Sequence, residues 1–409
     1  MKFLALSISF YLSYVSAQCN SGLTVTSQSD IDSISGCSKI VGNVVISRTS
    51  ISKLDFTNLE EIEGNVHVTD NASLASINFE KLKSLSGDLN VEGNKMLADI
   101  KTDLISTVRD INIKSNPSLE SLNFPKLFQA SNINISSNKI SSFAADSLLN
   151  AGDISISENA SLKNIGFSKL TSITGSFKIS ENSGSTDAQL PNLARVQGDA
   201  TFENVSNLNM SLLSSTGGSL AFNNNAFSTL VLNNLKNVQN NLSITNNNNI
   251  ESFSFPELTT VGGDVSISGN NQLNSVGPLS LPKLSVVQGK FEASGNFNTF
   301  VLPGLTSIIG GYTLNYSDTF DCNALKDSIQ SKVNSFRCAK NGSSTGSSPQ
   351  ANPSATATIT GSATTTPSKS SSSSNSNSNS NSSSTSSIAL LSSPLSALVA
   401  LLTLAASLY

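Results

Sequence analysis

The sequence predicts an all-β-rich solenoid, a right-handed parallel β-coil with disulfide-capped ends. Three observations carry that reading. A motif close to Leu-x-x-Ile-x-Gly-x-Val-x-Val-x-x-x-x-Asn returns about every 22 residues. It is clearest as Leu59, Ile62, Gly64, Val66, Val68, Asn71, again as Leu82, Leu85, Gly87, Leu89, Val91, Asn94, and later as Leu258, Val261, Gly263, Val265, Ile267, Asn270. Apolar residues also recur in pairs separated by one residue, the spacing of a short strand with two side chains on one face. Finally, four cysteines fall as two local pairs, one at each end of the repeats. A fixed period of this length means units that bury their apolar faces only by stacking on neighbours. Function then belongs to a long surface or to the ends.

Residues 1–17 begin with a basic Lys2, continue through an apolar run from Phe3 to Val15 and close on Val15-Ser16-Ala17. This is the pattern of a secretory signal peptide, too short in its apolar part to span a bilayer. Residues 18–341 form the repeat solenoid. Its cysteines are expected to join locally, Cys19 with Cys37 and Cys322 with Cys338. A dozen stacked strands at about 4.8 Å would put the two ends roughly 50 to 60 Å apart, far beyond the reach of a disulfide. Each local bond could add about 3 kcal/mol where a solenoid frays.

Within the array thirteen strand pairs run from Val44/Ile46 to Tyr312/Leu314, usually with a Gly two residues before the first inward residue to permit a tight bend. Asn follows five residues after the first member of the pair at Asn71, Asn94, Asn116, Asn138, Asn159, Asn182, Asn225, Asn247, Asn270 and Asn296, while Val205 takes that place in the copy near Ala200. An inward Asn can bond turn backbone and the Asn above and below, so a ladder is expected. A second apolar side follows, as in Leu74/Ile77/Phe79 and Leu119/Leu122/Phe124. This places most of the nineteen Phe in the core.

The interval from Val68 to Asn71 matches the leucine-rich-repeat consensus. The unit has extra residues after the Gly and after the Asn, toward the irregular three-sided coil of receptor L domains. From Cys19 to Cys338, with the Ser-rich stretch and apolar tail behind it, the chain resembles the fungal GPI-anchored cell-wall organisation proteins of the yeast extracellular-mutant and sporulation-specific type. The resemblance implies a role in wall assembly and integrity at the cell surface. It brings no active-site residues with it.

Residues 342–381, dominated by Ser, Thr, Asn and Pro, read as a disordered and O-glycosylated stalk. Residues 382–409 read as a GPI-attachment propeptide, because small residues, a polar spacer and an uncharged apolar stretch from Ile388 to Tyr409 follow in the required order. Asn381 is the chosen attachment residue, with Asn379 and Ser383 as alternatives. N-glycosylation sequons stand at Asn71, Asn134, Asn159, Asn204, Asn209, Asn241, Asn315 and Asn341, with another at Asn381.

With 24 basic and 28 acidic residues the chain has no basic surplus to attract nucleic acid. His67, the only histidine, lies between Val66 and Val68 and points outward, which argues against His-based triads and metal sites. No catalytic residue, metal or cofactor is expected. The strongest enzymatic alternative is a wall glycosidase or transglycosylase using outward carboxylates, Asp88 and Asp110 being the acids in adjacent copies. Sugar binding through aromatic faces is not expected, since Trp is absent and the repeats hold only Tyr312 and Tyr316 among Tyr. An adhesin is a third reading. The expected function is therefore that of a non-enzymatic surface glycoprotein at the plasma membrane or wall, attached through a GPI anchor, with wall polysaccharide or surface proteins as candidate partners.

Overall fold

A computed structural model of the chain describes residues 19–317 and 319–340, all within a compact unit spanning Met1–Thr345. The signal peptide, the stalk, the GPI propeptide, Asn341, Asn379, Asn381 and Ser383 lie outside the described residues. The unit is a parallel β-solenoid. Each inward pair becomes a short strand, such as Val66–Thr69 or Leu89–Glu92, whose residues alternate buried and outward. Successive strands pair in parallel, Val44 with Val66, Val66 with Leu89, Ile111 with Ile133 and so on to Tyr312. The large sheet takes a second short strand from most turns, such as Ser172–Ile173, set before the Gly and paired with its counterparts above and below. Smaller parallel sheets of 3, 5, 2 and 2 strands cover the other side of the coil.

The sheet extends one strand past the sequence pairs at each end. Leu23–Val25 joins the first turn and Phe336–Lys340 the last. Short helices, Gln28–Ser33 and Cys322–Ile329, then close the core with Ile31 at one end and Leu325 and Ile329 at the other. The second is capped by Asp321, whose carboxylate accepts from the backbone N–H groups of Asn323 and Ala324. Cys19 is bonded to Cys37 and Cys322 to Cys338, with Cα atoms 5.9 and 5.8 Å apart. Each bond pins a terminal turn.

The asparagine ladder is continuous from Asn71 to Asn182. At each step a backbone N–H donates to the Asn Oδ1 of the next turn, as from Asn71 to Asn94 (3.0 Å) and from Asn94 to Asn116 (3.1 Å). The Nδ2 groups donate back to strand carbonyls, Asn94 to Val68 and Asn116 to Val91. Val205 offers no amide, so the ladder stops at Asn182 and resumes when the Val205 N–H donates to Asn225. Asn296 does not join. It is exposed, and Phe297 takes the inward place beside Phe300, with ring centroids 5.2 Å apart.

The repeated Gly has a different reason from the one the sequence suggests. Gly64 has no positive φ, yet a Cβ there would overlap the Gly42 carbonyl of the preceding turn. Close stacking of turns excludes the side chain. Apart from Gly42 in the first copy, left-handed backbone occurs mainly just after the long strands, at Asp70, Ser115, Ser137, Glu158 and their counterparts, with Gly93 and Gly269 in the same column.

Candidate functional surface

The outward side chains of the long strands stack into a column in strict register. Asn90 lies beside Asn112, then Asn134, Ser155, Lys178 and Thr201. His67 belongs to this column, half-buried, with Nδ1 3.2 Å from the Asn90 amide nitrogen. Among the described residues no group of three or more His, Cys, Asp or Glu side chains is placed to hold a metal. No helix among them is long and apolar enough to cross a membrane.

Asp88 and Asp110 are both tied into the frame. Arg109 grips the Asp88 carboxylate with two bonds, Nε to Oδ1 and Nη2 to Oδ2, each 2.8 Å. The guanidinium holds the Asp88 carboxyl below the usual carboxylate range, against a smaller opposing effect of desolvation. A general acid needs the opposite shift. Asp110 accepts from the backbone N–H and the side-chain amide of Asn132 at 3.0 and 2.8 Å. Asp153 and Asp264 likewise accept backbone N–H bonds from the following turn, at Ser176 and Lys290. The acidic column is thus a set of inter-turn fasteners.

The sequons separate by environment. Asn71 and Asn159 are fully buried ladder members, with Nδ2 donating to Ile46 and Ile135 carbonyls. No glycan fits there, which corrects the expectation at these two positions. Asn134, Asn204, Asn209 and Asn315 are half-buried and Asn241 is exposed. Of these, Asn209 directs its Nδ2 into a bond with Gln189, whereas the other four make no Nδ2 bond among the described residues.

The sequence places most Phe in the core, but among the described residues one Phe is exposed. Phe128 is 47% exposed, and Leu149, one turn on in the same column, is 45% exposed. Ser106, Thr171 and Ala194 occupy that column in neighbouring turns. Together Phe128 and Leu149 border an open groove of about 490 Å³. Tyr312 is buried between Phe291 and Phe336 and is not available to a ligand.

These features define a disulfide-capped parallel β-solenoid that presents a mostly uncharged polar column and fastens Asp88, Asp110, Asp153 and Asp264 into its own frame. Among curated proteins the chain is 28% identical over 314 residues to a cell surface GPI-anchored protein of Arthroderma benhamiae, covering 76% of this chain and 80% of that one. It is 28% identical over 319 residues to protein ecm33 of Aspergillus fumigatus, with 77% and 79% covered. It is also 28% identical over 323 residues to cell wall mannoprotein PST1 of Saccharomyces cerevisiae, with 78% and 71% covered. These similarities bear out the resemblance to fungal surface and wall proteins. No protein-family model matches the chain, and no solved structure matches it.

Proposed function

We propose that the chain is a non-enzymatic, GPI-anchored surface glycoprotein that supports fungal cell-wall organisation as a rigid display scaffold. The observation that carries this reading is similarity over about three quarters of the chain to proteins named for the cell surface and the cell wall. A scaffold role, in place of a catalytic one, is supported by the bidentate Arg109 clamp on Asp88 and by the Asn132 bonds to Asp110. Wall polysaccharide and neighbouring surface proteins are its candidate partners.

Anchoring follows the pattern of residues 382–409 with attachment at Asn381, and the GPI-anchored relative supports it. Glycans are assigned to Asn134, Asn204, Asn241 and Asn315, whose amides are open, and to Asn341. Fractionation of fungal cells expressing the tagged full chain tests the reading. The protein should sit in the membrane and wall fractions and be released by a phosphatidylinositol-specific phospholipase or by glucanase. Free secretion into the medium, or loss of wall integrity on Asp88→Asn with the protein level unchanged, would overturn it.

A further inference from the structure

We propose that the groove beside Phe128 binds a linear, neutral, β-linked polymer of glucose-type sugars lying along the solenoid axis. The proposal rests on the surface-scaffold reading for the setting in which such a polymer is met. The geometry itself stands apart from it.

The groove is lined by Phe128, Leu149, Gln129, Ser131, Asn150 and their neighbours, with no ionisable side chain among them. In this groove a charged ligand finds no partner, and Arg109 in the adjoining depression is already engaged by Asp88, so the occupant is neutral. Open hydrogen-bonding groups are present nonetheless. The Gln129 amide and the Ser131 hydroxyl make no side-chain bond among the described residues. Asn150 uses only its Oδ1, which accepts from Thr171 and Ser172, leaving its NH₂ group free. Phe128 stands apart from the aromatic contacts of the core. An apolar ring beside several unused amide and hydroxyl groups suits a pyranose with equatorial hydroxyls, which offers a C–H face to the ring and a rim of hydroxyls to the polar groups.

An extended peptide is disfavoured by the backbone. Phe128 N–H donates to Ser106, Leu149 N–H to Phe128 and Thr171 N–H to Leu149, and Gln129 pairs with Asn150 in the parallel ladder. No sheet edge is open here for a strand to join. The groove is also elongated. A second depression shares Gln129 and Ser131 and continues to Thr107 and Arg109 on the preceding turn. Turns spaced about 4.8 Å apart set Phe128 and Leu149 side by side along the axis as a two-turn apolar platform flanked by Ser106 and Thr171.

The test is titration of the purified, full-length mature protein with laminarin as the β-glucan probe and with yeast mannan as comparator. Laminarin should bind and mannan should bind more weakly, because an axial hydroxyl interrupts the C–H face. Phe128→Ala should weaken laminarin binding about tenfold, Phe128→Tyr should keep it, and Gln129→Ala with Asn150→Ala should weaken it further. Leu212→Ala, an exposed leucine in a different column, should leave binding and melting unchanged. The Tyr variant separates ring loss from misfolding. Equal laminarin binding by Phe128→Ala and the parent protein, or no binding by a parent protein with a normal melting transition, would overturn the site. A protein that fails here yet fractionates with the wall leaves the scaffold reading standing, and one that binds laminarin but is absent from the cell surface defeats that reading alone.

Discussion

At the residue scale the ladder asparagines are the most demanding positions. Asn94 accepts at Oδ1 from both the N–H and the Nδ2 of Asn71, and it donates through Nδ2 to Val68, Glu92 and Asn116. Asn94→Asp keeps the shape but removes the donors and sets a carboxylate against two carbonyls. The expected cost is about 3 kcal/mol in urea unfolding, and a loss below about 1 kcal/mol would show that the ladder does little for stability. Arg109 gives a smaller, pH-signed effect. The Asp88 carboxyl is held below its usual range by Arg109, so its contribution is present above the unfolded value near about 4 and is lost as pH falls through the folded value. Arg109→Gln should therefore lower the melting temperature slightly at pH 7 and progressively less as pH falls below about 4, with solvent screening keeping the shift small. The ladder was legible in the sequence because a fixed interval from the strand fixes the face. Asn296 was misread because the strand Phe291–Gly295 runs longer and hands the inward place to Phe297. The burial of the Asn71 and Asn159 sequons was implicit in that same ladder, for a position cannot both face the core and carry a glycan.

At the element scale two glycines distinguish stacking from backbone freedom. A Cβ on Gly64 would run into Gly42 backbone, which cannot yield without separating two turns. Gly64→Ala should cost at least about 2 kcal/mol or block secretion. Gly184, at φ +70°, has no atom within 4 Å of an added Cβ, so Gly184→Ala should cost only the left-handed backbone penalty of about 1 kcal/mol. Equal losses at the two positions, measured by thermal unfolding, would refute the stacking account. The motif marked where the glycines fall, but the atom that demands them lies about 22 residues earlier in the chain, out of view of any local reading. Phe128 escaped for a related reason. The periodic pattern puts Leu127 inside, and the next residue is merely outward; only the folded coil sets it beside Leu149 of the following turn and the open amides of Gln129 and Asn150.

At the scale of the molecule each turn is held mainly by the turns before and after it, so stability should behave as a chain of nearest-neighbour terms with the weakest links at the ends. The two disulfides stand at those links. Cys322–Cys338 ties the helix Cys322–Ile329 to the last strand, Phe336–Lys340, which pairs with the large sheet only through Tyr312–Tyr316. Replacing both of these cysteines by Ser removes a closed loop worth about 3 kcal/mol in the chain-entropy account. The opening should begin at that end and be absorbed within a few turns. Amide hydrogen exchange on the double variant is expected to accelerate strongly in Phe336–Lys340, less in Tyr312–Tyr316, and not at all in Gln129–Ser136 near the middle or in Val44–Ser47 at the far end. The break in the asparagine ladder at Val205 gives a second place to watch. If the ladder carries cooperativity between turns, protection should step there, with the strands from Leu220 onward following the C-terminal end more closely than those before Asn182. A uniform rise across all strands would mean that the array opens as one unit, and that the caps stabilise the whole coil, not its ends.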